Sequence, residues 1–141
     1  MITKIPAGQA VITDTDFDRL MQLIESPRYR AQHAGRILDL KAELEQRALV
    51  SPARVPKGAV TMNSRVKVRD LETDETETYT IVFPDEADID ENRLSVLAPL
   101  GTALLGRAAG HEVEFSAPAG LRRLRIERVV YQPEAAGDLH L

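Results

Sequence analysis

In "APLGTALLGRAAG", Ala98 to Gly110, four residues separate Gly101 from Gly106 and a basic residue, Arg107, follows. That spacing is close to the loop whose backbone amides cradle the phosphates of a nucleotide. Such a loop needs a lysine to reach the phosphates, then a Ser or Thr hydroxyl to bind magnesium. Here Arg107 and Ala108 follow Gly106, so the metal ligand is missing. A structural role accounts for the stretch better. Pro99 suits a first helical turn, where its absent N–H costs nothing. Leu100, Ala103 and Leu104 would form one apolar face, Gly106 would close the helix in a left-handed cap, and Gly110 would turn the chain into "HEVEF".

No other chemistry assembles. His33, His111 and His140 are scattered, without metal-ligand spacing, and each reads as a surface residue. "DEADIDE", Asp85 to Glu91, has the acids of a calcium loop but neither its glycine nor its terminal bidentate Glu. Ser64, Ser95 and Ser116 lie outside any GxSxG setting and have no neighbouring base. No catalytic residue, metal ligand or cofactor site is expected, and the chain does not read as an enzyme. With no cysteine, disulfide scaffolds, thiol catalysis and cysteine-ligated zinc are excluded.

The 141 residues suit one domain, or a small domain with a helical appendage. Aromatics make up 4%, which disfavours a deep aromatic ligand pocket. No apolar run is long enough for a membrane span or signal peptide, so a cytoplasmic protein is expected. A net charge of -4 gives no basic footprint for nucleic acid. The acids cluster: residues 70–91 carry ten and no base, whereas residues 122–128 carry four arginines and one acid. The acidic stretch reads as solvated loops and strand edges, with a surface for a basic protein partner as the alternative.

The elements that would position these groups change halfway along the chain. Thr15 precedes "DFDRLMQLIE" as a cap, with Asp18 three residues on. Phe17, Leu20, Met21 and Ile24 form one stripe, and Pro27 stops the helix. A second helix is expected from Tyr29–Ala34 to about Leu49, with Ile37, Leu40, Leu44 and Ala48 on one side and Glu43–Arg47 as an i, i+4 pair. The two would form an antiparallel hairpin of roughly 15 and 25 Å at 1.5 Å per residue. "SPARVPKGAV" reads as a linker. Strands follow at "SRVKVRDL", "ETYTIVF", "HEVEF" and "LRRLRIERVVY", the last alternating Leu124, Ile126 and Val130 until Val129 breaks the pattern. The expected class is α+β: residues 1–50 a short helical hairpin, residues 51–141 an antiparallel sheet domain with one short helix.

"LSVLAPLGTALLGRAAGHEVEF", Leu94 to Phe115, resembles the C-terminal domain of bacterial transcript-cleavage (Gre) factors: a strand, Ser-Pro-Leu, a short Ala/Leu helix, then Gly-x-x-x-Gly-Asp into a Val-rich strand. "VTMNSRVKVRDL" and "YQPEAAGD" are more specifically similar to the Rnk proteins, Gre relatives named as regulators of nucleoside diphosphate kinase. The resemblance implies an N-terminal antiparallel coiled coil and a C-terminal domain of FKBP-like fold. It implies binding of RNA polymerase near the rim of the secondary channel, through the turn matched here by Ser95, Leu97 and Pro99. Leu97 stands where Gre factors often carry an acid. The Gre hairpin tip bears an acidic "GDLxEN"-type motif that delivers magnesium. Here it reads "IESPRYRAQHAG", with Glu25 the only acid near the break and Arg28 and Arg30 after it.

The resemblance thus implies a monomeric transcription regulator that occupies the Gre docking site without cleavage activity, linked to the kinase indirectly. Two alternatives stand beside it: an FKBP-like prolyl isomerase or chaperone, and a direct regulator of nucleoside diphosphate kinase.

Overall fold

The computed structural model describes residues 9–141; the expectation drawn from the first eight residues falls outside them. It is an α+β fold. Strand β1 (Val11–Thr13) leads into helix α1 (Asp14–Glu25), then helix α2 (Pro27–Glu45), then strand β2 (Ala48–Val50), which returns to pair in parallel with β1. Strands β3 (Arg65–Asp70), β4 (Thr76–Val82), β5 (Arg93–Ser95), β6 (Glu112–Ala117) and β7 (Gly120–Tyr131) form one sheet in the order β5-β4-β3-β7-β6. The pairs are antiparallel except β4–β5, which is parallel, a departure from the all-antiparallel expectation. Short helices α3 (Pro99–Leu104) and α4 (Pro133–Ala136) complete the chain.

The cap of α1 is Thr13, not Thr15. The Thr13 hydroxyl accepts from the Asp16 amide at 3.0 Å. Both threonines have an acid three residues on, so the local pattern is degenerate. A tertiary contact selects the first: buried Asp16 accepts the Met62 amide at 3.0 Å and also pairs with Arg19. The predicted stripe is present, with Leu20 and Ile24 buried and Phe17 and Met21 packed beside them.

Helix α2 starts and ends earlier than expected. Pro27 takes its first turn rather than merely ending α1, and Ala48 lies in β2, not on a helical stripe. Arg47 lies beyond the helix end. It keeps its 3.0 Å pair with Glu43, but its buried guanidinium also donates to the Leu105 carbonyl at 3.0 Å. The helices, of 12 and 19 residues, are roughly 18 and 28 Å long at 1.5 Å per residue, slightly more than expected. His33, at φ -138° and ψ 37°, interrupts α2.

In β7 the alternation is rephased. The pairing shifts between Lys67↔Arg128 and Val68↔Ile126, leaving Glu127 as an extra residue. A bulge of this kind re-aims the side chains beyond it. Val129 therefore packs on the core and Val130 points outward, the reverse of the expected assignment. One hydrophobic core joins Leu20, Ile24, Leu40 and Leu44 of the helices to Val66, Ile81, Leu104 and Ile126 of the sheet side.

Candidate functional site

The turn from Ser95 to Pro99 is built from its own polar groups. The Ser95 hydroxyl accepts the Leu97 amide at 3.1 Å, and the Ser95 carbonyl accepts the Ala98 amide at 3.0 Å. The Thr102 hydroxyl, one turn into α3, donates to the Val96 carbonyl at 2.6 Å. Gly101 allows the helix to press this close, since a Cβ there would sit 2.2 Å from the Ser95 carbonyl oxygen. Of the three singled-out residues, Pro99 is exposed at the first position of α3, Ser95 is half-buried, and Leu97 is buried in the core.

Pro99 also lines a groove of about 440 Å³ walled on its far side by Arg36, Asp39 and Glu43 of α2. Helix α2 thus flanks the turn. Sequence periodicity carried no signal of this, because these three residues lie on the polar face of an amphipathic helix and read as solvated.

The two-glycine stretch holds no phosphate cradle. Pro99–Leu104 is a short helix, and Gly106, at φ 81°, adopts the left-handed conformation beyond its end. The histidines stay apart. His33 stacks on Tyr29 with ring centroids 6.5 Å apart, the His111 Nδ1 accepts the Ala108 amide at 3.2 Å, and His140 is exposed. "DEADIDE" forms two 3-10 turns, Pro84–Glu86 and Ile89–Glu91, with the Asp88 carboxylate accepting the Asp90 amide. Ser64 is fully buried, its hydroxyl accepting the Thr61 amide.

Both cations of the hairpin tip have partners. The Arg30 Nε donates to the Ile24 carbonyl at 2.9 Å, near the end of α1 where backbone carbonyls lack partners. Arg28 lies 3.4 Å from Asp85 of the acidic loop and stacks over the Tyr29 ring at 5.3 Å. The Asp85 carboxylate, as an acceptor for the phenol of Tyr29, holds its proton on and raises its pKa. Glu25 is exposed. Among the described residues no three of His, Cys, Asp and Glu lie close enough to hold a metal ion. The tip, one carboxylate beside two guanidiniums, does not fit a magnesium site.

Two helices doubled back against a curled mixed sheet, with a self-bonded Ser-x-x-x-Pro turn at one corner, place the molecule among the Gre-type transcription factors by fold. The structure described as "Prokaryotic transcription elongation factor GreA/GreB from Nitrosomonas europaea" matches it with a TM-score of 0.71 at 37% identity, covering 87% of this chain and 98% of that one.

Residues 55–131 match the family "Transcription elongation factor, GreA/GreB, C-term", and the chain belongs to that family. It is similar to the "Regulator of nucleoside diphosphate kinase" of Escherichia coli (strain K12), at 40% identity over 129 residues, 91% of this chain and 93% of that protein. It is also similar to "Transcription elongation factor GreA" of Clostridioides difficile (strain 630), at 36% identity over 118 residues, 84% of this chain and 74% of that one. No helix among the described residues is long and apolar enough to cross a membrane.

Proposed function

We propose that this protein binds RNA polymerase at the rim of its secondary channel and modulates transcription without stimulating transcript cleavage. Its sheet module, read as FKBP-like, supplies the docking surface, and its coiled-coil-like hairpin carries no catalytic metal. The dock is the Ser95–Pro99 turn. Exposed Pro99 and half-exposed Ser95 meet the polymerase, while buried Leu97 holds the turn in shape. The acidic segment 70–91 is the other candidate contact, a complement to a basic partner surface; its Pro84 shares a cleft with Ser95 and Leu97.

One observation carries the reading. The tip offers Glu25 alone, and its cations have partners of their own, Arg28 at the surface beside Asp85 and Arg30 on the Ile24 carbonyl. A cleavage factor needs the opposite arrangement, several carboxylates converging on a divalent cation. The link to nucleoside diphosphate kinase is then indirect, through transcription, and the protein acts as a monomer in the cytoplasm.

The test is retention on immobilised core polymerase, with Pro99→Ala and with a competing GreA. Retention that the variant weakens and GreA abolishes supports the reading. A protein that fails to bind, or that binds unaffected by GreA, ends it.

A further inference from the structure

The sheet is longer than the helix that covers it. Helix α3 has six residues and is roughly 9 Å long, whereas β4 has seven and runs roughly 23 Å. Beyond the helix two core-facing side chains of the sheet, Tyr79 and Phe115, are only half-buried. They floor a cleft of about 190 Å³, with buried Val68 and Leu124 of the sheet and Leu100 of α3 behind them. A second cleft, of about 200 Å³, opens on the other side of Tyr79 between Leu94 and Ile89. Tyr79 and Glu77 are common to both walls. Ile89, the most exposed large hydrophobic residue of those described, is 89% exposed at the outer end.

The charges at the mouth are unequal. Asp70 and Arg122 line the first cleft and are bound to each other, so they neutralise locally. Glu75 and Glu77 also line it and form no ion pair among the described residues. Arg93 lies in the second cleft, at the Ile89 end. The negative potential is therefore concentrated over the Tyr79–Phe115 floor.

We infer that this cleft is a second binding site, distinct from the Ser95–Pro99 turn, which takes an extended segment of a partner protein: one bulky apolar side chain on the Tyr79–Phe115 floor, followed by arginine or lysine over Glu75 and Glu77. Each cleft is smaller than the roughly 300–1,000 Å³ of small-molecule sites, and it is open, which suits a single side chain of a longer chain. The apolar floor supplies affinity, and the two free carboxylates select the neighbouring cation and speed encounter. The glutamates of the cleft belong to the acidic segment proposed above as a polymerase complement, and the peptide reads the cleft with no polymerase present.

The test is titration of the isotopically labelled protein with Ac-Gly-Phe-Arg-Arg-Gly-NH2, followed by amide chemical shifts. The expected result is saturable shifts centred on Tyr79, Leu100 and Phe115. Binding should weaken about tenfold in 0.5 M salt, with Glu75→Lys/Glu77→Lys, or when the peptide carries Glu-Glu or Ala in place of Arg-Arg or Phe. Both glutamates are exposed, so the double variant keeps its fold, which its own unperturbed spectrum checks. The inference is overturned by no saturation at millimolar peptide, by equal binding of the Glu-Glu peptide, or by shifts confined to residues 84–91. Peptide-free shifts of the same residues that grow with protein concentration would assign the cleft to a second copy and overturn it too. Because no polymerase is present, failure here leaves the docking proposal to its own test.

Discussion

The guanidinium of Arg28, at the hairpin tip, lies 3.4 Å from the carboxylate of Asp85 in the acidic loop. Besides the shared core and the Asp16–Met62 and Arg47–Leu105 bonds, this pair joins the helices to the sheet module at the far end of the hairpin. Both side chains are well exposed, so the pair contributes little to stability, on the order of 0–1 kcal/mol. Its interest is positional, since the one acid that Arg28 faces lies outside the tip.

The same aspartate governs Tyr29. Its hydrogen bond is the first cause of the raised Tyr29 pKa, with burial and the Asp85 charge adding to it. A raised pKa means that the native state retains the phenol proton longer than the unfolded chain does. The contribution is present below the unfolded value near 10 and is lost as pH rises through the folded one. In Asp85→Ala one of the three tyrosines should titrate at lower pH, while Tyr79, raised first by burial, and Tyr131, raised first by Asp138, stay where they are. Ultraviolet titration of phenolate checks this; an unchanged curve would show that the contact is absent in solution.

Thr13→Ala should destabilise the protein by about 1 kcal/mol, the usual effect of losing a helix cap, and Thr15→Ala by less than about 0.5 kcal/mol. Urea unfolding of the two variants separates them. Equal effects would contradict the assignment of the cap to Thr13.

Asp16 is 1% exposed and holds both Arg19 and the Met62 amide. Asp16→Ala leaves the buried Met62 amide without its acceptor and frees the part-exposed Arg19, at a cost of about 1–3 kcal/mol. Thermal unfolding should show a fall of many degrees, with Asp16→Asn intermediate because it can still accept from Met62. A loss below about 1 kcal/mol would mean that the staple is not formed.

Gly101→Ala should reshape the proposed dock without touching any exposed surface. Its Cβ would collide with the Ser95 carbonyl, so the turn must shift, at about 1–3 kcal/mol for overpacking. The expected outcome is a folded protein with weakened polymerase retention. Full retention would remove the turn from the contact.

The period of each long segment was enough to read both helices and four of the sheet's strands, because each buries one face. What escaped had local causes. Thr13 and Thr15 offer the same capping pattern, and only the distant Met62 amide distinguishes them. β1, β2 and β5 are three residues each, too short to show a period. Val130 was assigned inward because an inserted residue, Glu127, is invisible in a strict alternation. The proposed docking turn rests on family resemblance, which matches positions but not side-chain directions, so the burial of Leu97 and the wall formed by α2 come only with the coordinates.

Transcript length in polymerase complexes halted by backtracking puts the central claim most directly at risk. Added with magnesium at saturating concentration, the protein should leave the transcripts uncut, and it should protect them from shortening by a GreA added afterwards. Shortened transcripts in its presence alone, or no protection against GreA, would contradict the account.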